Sequence, residues 1–149
     1  MQFNFDLISD LHVETWDSFD WTGQATSPYC VVAGDVSRDR DVLRETLKHL
    51  GQCYQGVFYI DGNDEHKNNL HDLNYSYTQL VDTVKHIKNV VYMQDHVVII
   101  AGVAFLATNG WWSYDLDPLL DYDQCQAWFK EKVNITQSEA DNITSFAFN

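Results

Sequence analysis

Short apolar runs that halt at polar clusters set the pattern of this chain. Residues 3–8 read as a strand that stops at Ser9-Asp10. Tyr29-Cys30-Val31-Val32-Ala33 is continuously apolar and ends at Gly34-Asp35, the pattern of a strand buried on both faces. Val57-Phe58-Tyr59-Ile60 repeats that pattern and runs into Asp61-Gly62-Asn63-Asp64-Glu65-His66. Residues 90–93 are a further strand, and the runs 97–101 and 103–107 flank Gly102 as a hairpin or bulged pair.

Between these runs the period changes to that of a helix. Leu43, Leu47, Leu50 and Tyr54 fall on one helical face, with Asp39 and Asp41 at the start, where the dipole favours acids. Gly51 is expected to weaken this helix and Gly56 to stop it. Tyr77, Leu80, Val81, Val84 and Ile87 mark a second helix, with Lys85 and Lys88 in its last turns and Asn89 as its stop. Tyr122, Cys125, Phe129 and Val133 mark a third, and residues 136–146 a fourth. Strands alternating with helices place the chain in the α/β class with its early strands parallel. Trp16, Phe19 and Trp21 lie in a polar loop over 13–28, and they are expected to pack it down rather than to line a groove.

Composition narrows the function classes. The length of 149 residues suits one domain, 1–149, with a core of its own. Hydrophobic residues at 45% and aromatics at 14% exclude a disordered chain. A formal net charge of -13 disfavours nucleic acid and anionic membranes as partners. A small phosphorylated substrate remains open, because bound dications invert the local field. Cys30, Cys53 and Cys125 form no CxxC pair, so buried thiols in a reducing cytosol are expected, without a disulfide framework or structural zinc. The sequence begins without a basic leader and has no apolar run of membrane-spanning length, so a cytoplasmic location is expected. The sequons at Asn74, Asn134 and Asn142 are then chance matches.

The polar clusters carry the candidate chemistry. Asp10 and His12, two residues apart beyond a strand, project to the same side. In a parallel sheet Asp35 and Asn63 arrive at the same edge, where sites of such folds lie. Gly34 and Gly62 let the chain turn sharply just before them. Asp, His, Asp and Asn make a hard, oxygen-rich ligand set that suits Mn, Fe, Zn or Mg. One carboxylate can bridge two dications about 3.5–4 Å apart, as in two-metal hydrolytic sites.

Ile8-Ser9-Asp10-Leu11-His12, Ala33-Gly34-Asp35-Val36 and Gly62-Asn63-Asp64-Glu65 together resemble the first three motifs of the calcineurin-like metallophosphoesterases. The stretch from Thr108 to Trp112 resembles a segment of one branch of that family. The resemblance implies a two-sheet α/β sandwich flanked by helices and a metal-dependent phosphoesterase with two divalent ions. It implies that Asp10 and His12 bind the first metal, that Asp35 bridges both, and that Asn63 binds the second. A metal-activated hydroxide would then hydrolyse a phosphomonoester or phosphodiester.

Two departures from the family pattern bear on activity. The histidine credited there with assisting the leaving group is Asp64 here, a poor proton donor beside two cations. His66, two residues on, is the candidate substitute. The family's later histidine and G-H-x-H motifs are absent, and His71, His86 and His96 do not fit them. The chain is therefore expected to be incomplete at the C-terminal side of the fold and to carry about half of the dinuclear site. The alternative is a catalytically impaired phosphoesterase fold acting as an interaction module. An incomplete sandwich would expose apolar surface and strand edges, which predicts homo-oligomers through the sheet edge.

Overall fold

Three crossover connections, the last two helical, build a parallel sheet in the order β1-β2-β3-β4, from Asp6–Ile8, Tyr29–Ala33, Gly56–Ile60 and Val90–Tyr92. The computed structural model describes residues 3–109 and isolated positions between 123 and 141. Residues 110–122, and the positions Tyr122, Cys125, Phe129 and Val133 that mark the third expected helix, lie outside the described residues. The chain divides into two compact units, Met1–Asn68 with Thr78–Asn109, and Asn69–Tyr77 with Gly110–Asn149.

In the first unit, α1 (Arg40–Cys53) follows β2 and α2 (Leu73–Val84) follows β3, entering this unit at Thr78. Asp39 caps α1 by accepting from the N–H groups of Asp41 and Val42 at 2.9 and 3.0 Å. The predicted face is the buried one: Leu43, Leu47 and Leu50 join Cys30, Val32, Val57 and Tyr59 of the sheet and Leu80 and Val84 of α2 in one core. Alternate residues of β3 serve the other face, where the Phe58 and Phe105 rings stack with centroids 5.1 Å apart. That is why β2 and β3 read as unbroken apolar runs. Phe105 belongs to the antiparallel pair β5 (His96–Ile100) and β6 (Val103–Ala107). Ala101 and Gly102 turn this hairpin with φ of 51° and 80°, as a primed type I turn requires.

Several boundaries differ from the sequence expectation, each for a local reason. The first strand is paired only over Asp6–Ile8, and before it the Phe3 and Phe5 rings pack against Phe105, with Phe3 also stacked on Tyr29. Gly56 does not stop α1 but opens β3, and α1 closes at Tyr54, whose N–H donates to the Leu50 carbonyl. Gly51 sits within α1, where a Cβ would come 2.5 Å from the Lys88 carbonyl oxygen. The second helix ends at Val84, so His86 lies in the turn beyond it and Asn89 closes that turn at φ 63°.

The loop after His12 is packed down, as expected for Phe19 and Trp21, which lie against the core, while Trp16 stays exposed. Trp21 Nε1–H donates to Tyr54 Oη at 2.8 Å, and Tyr54 Oη–H donates to Asp6 Oδ2 at 2.9 Å. Burial acts to raise the pKa of Asp6, but hydrogen bonds from Thr26, Tyr54 and Ser27 outweigh it and hold the carboxyl at about 2. Cys30 is buried and Cys53 half-buried, both free thiols.

In the second unit, Asp72 accepts from Tyr75 N–H at 2.9 Å at the start of α2. Thr136 and Glu139 form a capping box there, with Thr136 N–H to Glu139 Oε2 at 2.7 Å and Glu139 N–H to Thr136 Oγ1 at 3.3 Å. Helical residues follow at 138, 139 and 141. No helix among the described residues is long and apolar enough to cross a membrane.

Candidate metal centre

Beyond β1 and β2 the two chains stay bonded after the sheet ends. Asp10 N–H donates to Gly34 O at 3.1 Å, His12 N–H to Asp35 O at 3.0 Å, and Val13 N–H to Val36 O at 2.9 Å. The bonded loops hold Asp10, His12 and Asp35 at φ of 53°, 43° and 52°. Left-handed conformations cost a non-glycine residue roughly 1–3 kcal/mol each, and they persist only where surrounding bonds impose them. The result is one cluster in which a ligand atom from each of Asp10, His12 and Asp35 lies within 4.8 Å of the others. Two carboxylates and an imidazole so placed fit a hard or borderline divalent ion.

The third loop is clamped onto the second by two glycines and one acid. A Cβ on Gly34 would lie 2.7 Å from Gly62 Cα, and one on Gly62 would lie 2.1 Å from Asp35 Oδ1, so only glycine admits this approach. Glu65, fully buried, accepts from Gly62 N–H at 2.8 Å, Asp35 N–H at 3.1 Å and Val36 N–H at 2.6 Å. Burial pushes its carboxyl up, backbone N–H groups of Val36, Gly62 and Glu65 itself pull the other way, and the nearby Asp35 charge adds to the rise. Glu65 is thus the residue that joins the second and third loops, and the sequence reading assigned it no role. The signal for it was its place as the last residue of the Gly62-Asn63-Asp64-Glu65 motif.

Asn63 lies exposed on the turn after Gly62, and its carbonyl accepts from His66 N–H at 3.2 Å. Asp64 is brought to the cluster as well. Its N–H donates to Asp35 Oδ1 at 2.9 Å, and its Oδ2 lies 3.3 Å from His12 Nδ1 and 3.4 Å from Arg38 Nε. With Glu14 it forms a second convergence on His12. Arg38 Nε lies 3.3 Å from Glu14 Oε1, so one guanidinium bridges the two acids. Burial acts to raise the Glu14 pKa, but hydrogen bonds from Ser37, its own backbone and Arg38 hold it below the usual range.

His66 is placed differently from the other site candidates. It is fully buried, with Nε2 2.6 Å from Asp61 Oδ2. Tyr92 Oη–H donates to Asp61 Oδ1, and Asn109 Nδ2 donates to Asp61 Oδ2 at 2.5 Å and to the Asp61 carbonyl at 3.2 Å. Burial alone would raise the Asp61 pKa, but the His66 contact and the Tyr92 hydrogen bond bring it below the usual carboxylate value. The group is a buried polar network that ties β3, β4 and the segment after β6 together at this edge. Of the histidines set aside in the sequence, His86 and His96 are exposed, and neither they nor His71 joins a ligand cluster among the described residues.

No protein-family model matches the chain, and no curated protein matches it in sequence. In structure it is similar to the crystal structure of phosphopantetheinyl hydrolase (PptH) from Mycobacterium tuberculosis, with a TM-score of 0.66 and 19% sequence identity. The match covers 91% of this chain and 52% of that one, so the chain spans about half the length of that protein. At this identity the likeness establishes the fold: an α/β chain with a four-stranded parallel sheet, a small antiparallel pair and helices.

Proposed function

We propose that the chain is a metal-dependent phosphoester hydrolase of the calcineurin-like metallophosphoesterase kind, acting on a small phosphorylated substrate. The observation that carries this reading is the convergence of Asp10, His12 and Asp35 within 4.8 Å, each at positive φ. The three ordered motifs support it, as does the fold shared with a protein named as a phosphopantetheinyl hydrolase. The parallel sheet and the antiparallel pair are on this reading the two layers of a family-type sandwich in a single domain.

Divalent ions of the Mn, Fe, Zn or Mg class, when bound, supply the charge that acidifies water and neutralises phosphoryl oxygens. Asp10, His12 and Asp35 would hold the first ion, with Asp35 and Asn63 turned to a second. Asp64 fixes His12 and Arg38 rather than donating a proton. Arg38, held by Glu14 and Asp64, keeps a cation beside His12 where an anionic ester can be oriented. One observation favours the alternative of an impaired, interaction-type relative. His66 is sequestered by Asp61, and Asp64 is engaged with Arg38 and Lys67, so neither is free to protonate a leaving group.

Manganese titration with an artificial phosphodiester separates the two. Hydrolysis that appears with manganese and disappears on chelation is the expected result. Stoichiometric manganese binding without turnover favours the interaction module, and absence of manganese binding overturns both.

We further propose self-association through the exposed apolar strands. Leu7, Ile99 and Leu106 are 66%, 72% and 73% exposed, and β1 and β4 leave free sheet edges among the described strands. Light scattering is expected to report a dimer or larger species that Ile99→Lys/Leu106→Lys shifts to monomer. A wild-type monomer at high concentration would rule it out.

A further inference from the structure

A groove lies at the end of the sheet opposite the candidate metal centre. α1 runs from Asp39, near the Gly34-Asp35 edge, back to the starts of the strands, where Gln55 N–H donates to Pro28 O and Val57 N–H to Asn89 O, both at 2.8 Å. At that opposite edge the later half of α1 and the turn after α2 enclose a groove of about 620 Å³. Arg44, Lys48, His86 and Lys88 line it, together with the amides of Gln52 and Asn89. Glu45 is the one carboxylate of the lining, in an exposed pair with Lys48 at 3.3 Å. Such a pair is weak and leaves the ammonium exchangeable.

This concentration of positive charge stands against the rest of the sequence. The chain has 9 Lys+Arg for 22 Asp+Glu, yet three of those cations share this groove. Helix ends do not require them. Two of the last carbonyls of α1 are already satisfied by other groups, Gly51 O by Asn89 Nδ2–H at 3.1 Å and Leu50 O by Tyr54 N–H at 3.1 Å. Asn89, at positive φ, and Gly51, against the Lys88 carbonyl, fix the turn that carries Lys88 beside α1.

We propose that this groove is a binding site for a small ligand carrying a di- or triphosphate. A guanidinium and two ammoniums converge on one face, the first suited to two-point phosphate contact and the others to point-charge contact. The volume lies within the range of small-molecule sites and exceeds what one phosphate fills. The neutral amides add donors without adding charge. The site is independent of the hydrolase reading, because none of its residues belongs to the metal edge.

The test is titration of inorganic pyrophosphate into the full chain in metal-stripped, low-salt buffer, read by amide NMR shifts and calorimetry. Saturable binding is expected, with the largest shifts at Lys48, Gly51 and Lys88. Lys48→Gln/Lys88→Gln should raise the Kd at least tenfold while circular dichroism stays unchanged, since both positions are exposed. Asp35→Asn should leave the Kd unaltered. Absence of pyrophosphate binding, full affinity in the double variant, or loss of binding in Asp35→Asn would each overturn the site.

Discussion

Asp35→Asn is expected to abolish manganese-dependent hydrolysis while leaving the fold intact. The amide is isosteric, and its carbonyl oxygen can keep the hydrogen bond that Asp35 Oδ1 accepts from Asp64 N–H at 2.9 Å. What changes is the charge, and a donor replaces one of the two acceptors in the cluster with Asp10 and His12. Losing even an outer partner of a metal ligand costs roughly 10–100-fold in affinity or activity, and a ligand shared between two ions should cost more, about a thousandfold. A readout besides turnover comes from stability. Without metal, removing one of two crowded carboxylates should leave Tm unchanged or higher. With manganese, the wild type should gain stability by mass action and the variant should not. Equal manganese stabilisation of both proteins would refute Asp35 as a ligand.

Glu65→Ala is expected to be the most destabilising single change at this edge, by about 3–5 kcal/mol. One buried carboxylate accepts from three N–H groups, those of Gly62, Asp35 and Val36. Its removal orphans all three in a site closed by direct glycine contact, and each unsatisfied buried donor costs about 1–3 kcal/mol. The lower total assumes that the loops relax or that water reaches one donor. Urea unfolding measures the loss, and a change under about 1 kcal/mol would mean that solvent replaces the carboxylate completely. Because Glu65 holds the second loop to the third, the variant should also weaken manganese binding without touching a ligand.

These two residues differ in how they could be read from sequence. Asp35 ends an apolar run and follows a glycine, so its place at the sheet edge follows from the parallel arrangement of short buried strands. Glu65 stands in an acidic cluster with Asp61 and Asp64, and nothing in composition tells three acids apart. Their roles separate only in three dimensions. Asp61 takes the imidazole of His66, Asp64 takes His12 and Arg38, and Glu65 takes backbone donors. His66 illustrates the same point. Its place two residues after Asp64 suggested a substitute proton donor, but the short 3-10 helix Asp64–Asn69 leaves it fully buried against Asp61.

Periodicity alone determined the class of the fold, the buried face of α1 and the edge at which Asp10, His12 and Asp35 gather. Such features depend on local spacing, which apolar burial enforces along the whole chain. Tertiary structure decided the rest: the positive φ of Asp10, His12 and Asp35, the glycine contacts that lock the loops, the pairing of Asp64 with Arg38, and the basic groove at the far edge. Each depends on residues distant in sequence meeting at hydrogen-bond or van der Waals range. Close packing selects one partner for each polar group there, and the linear order of the residues does not contain that choice.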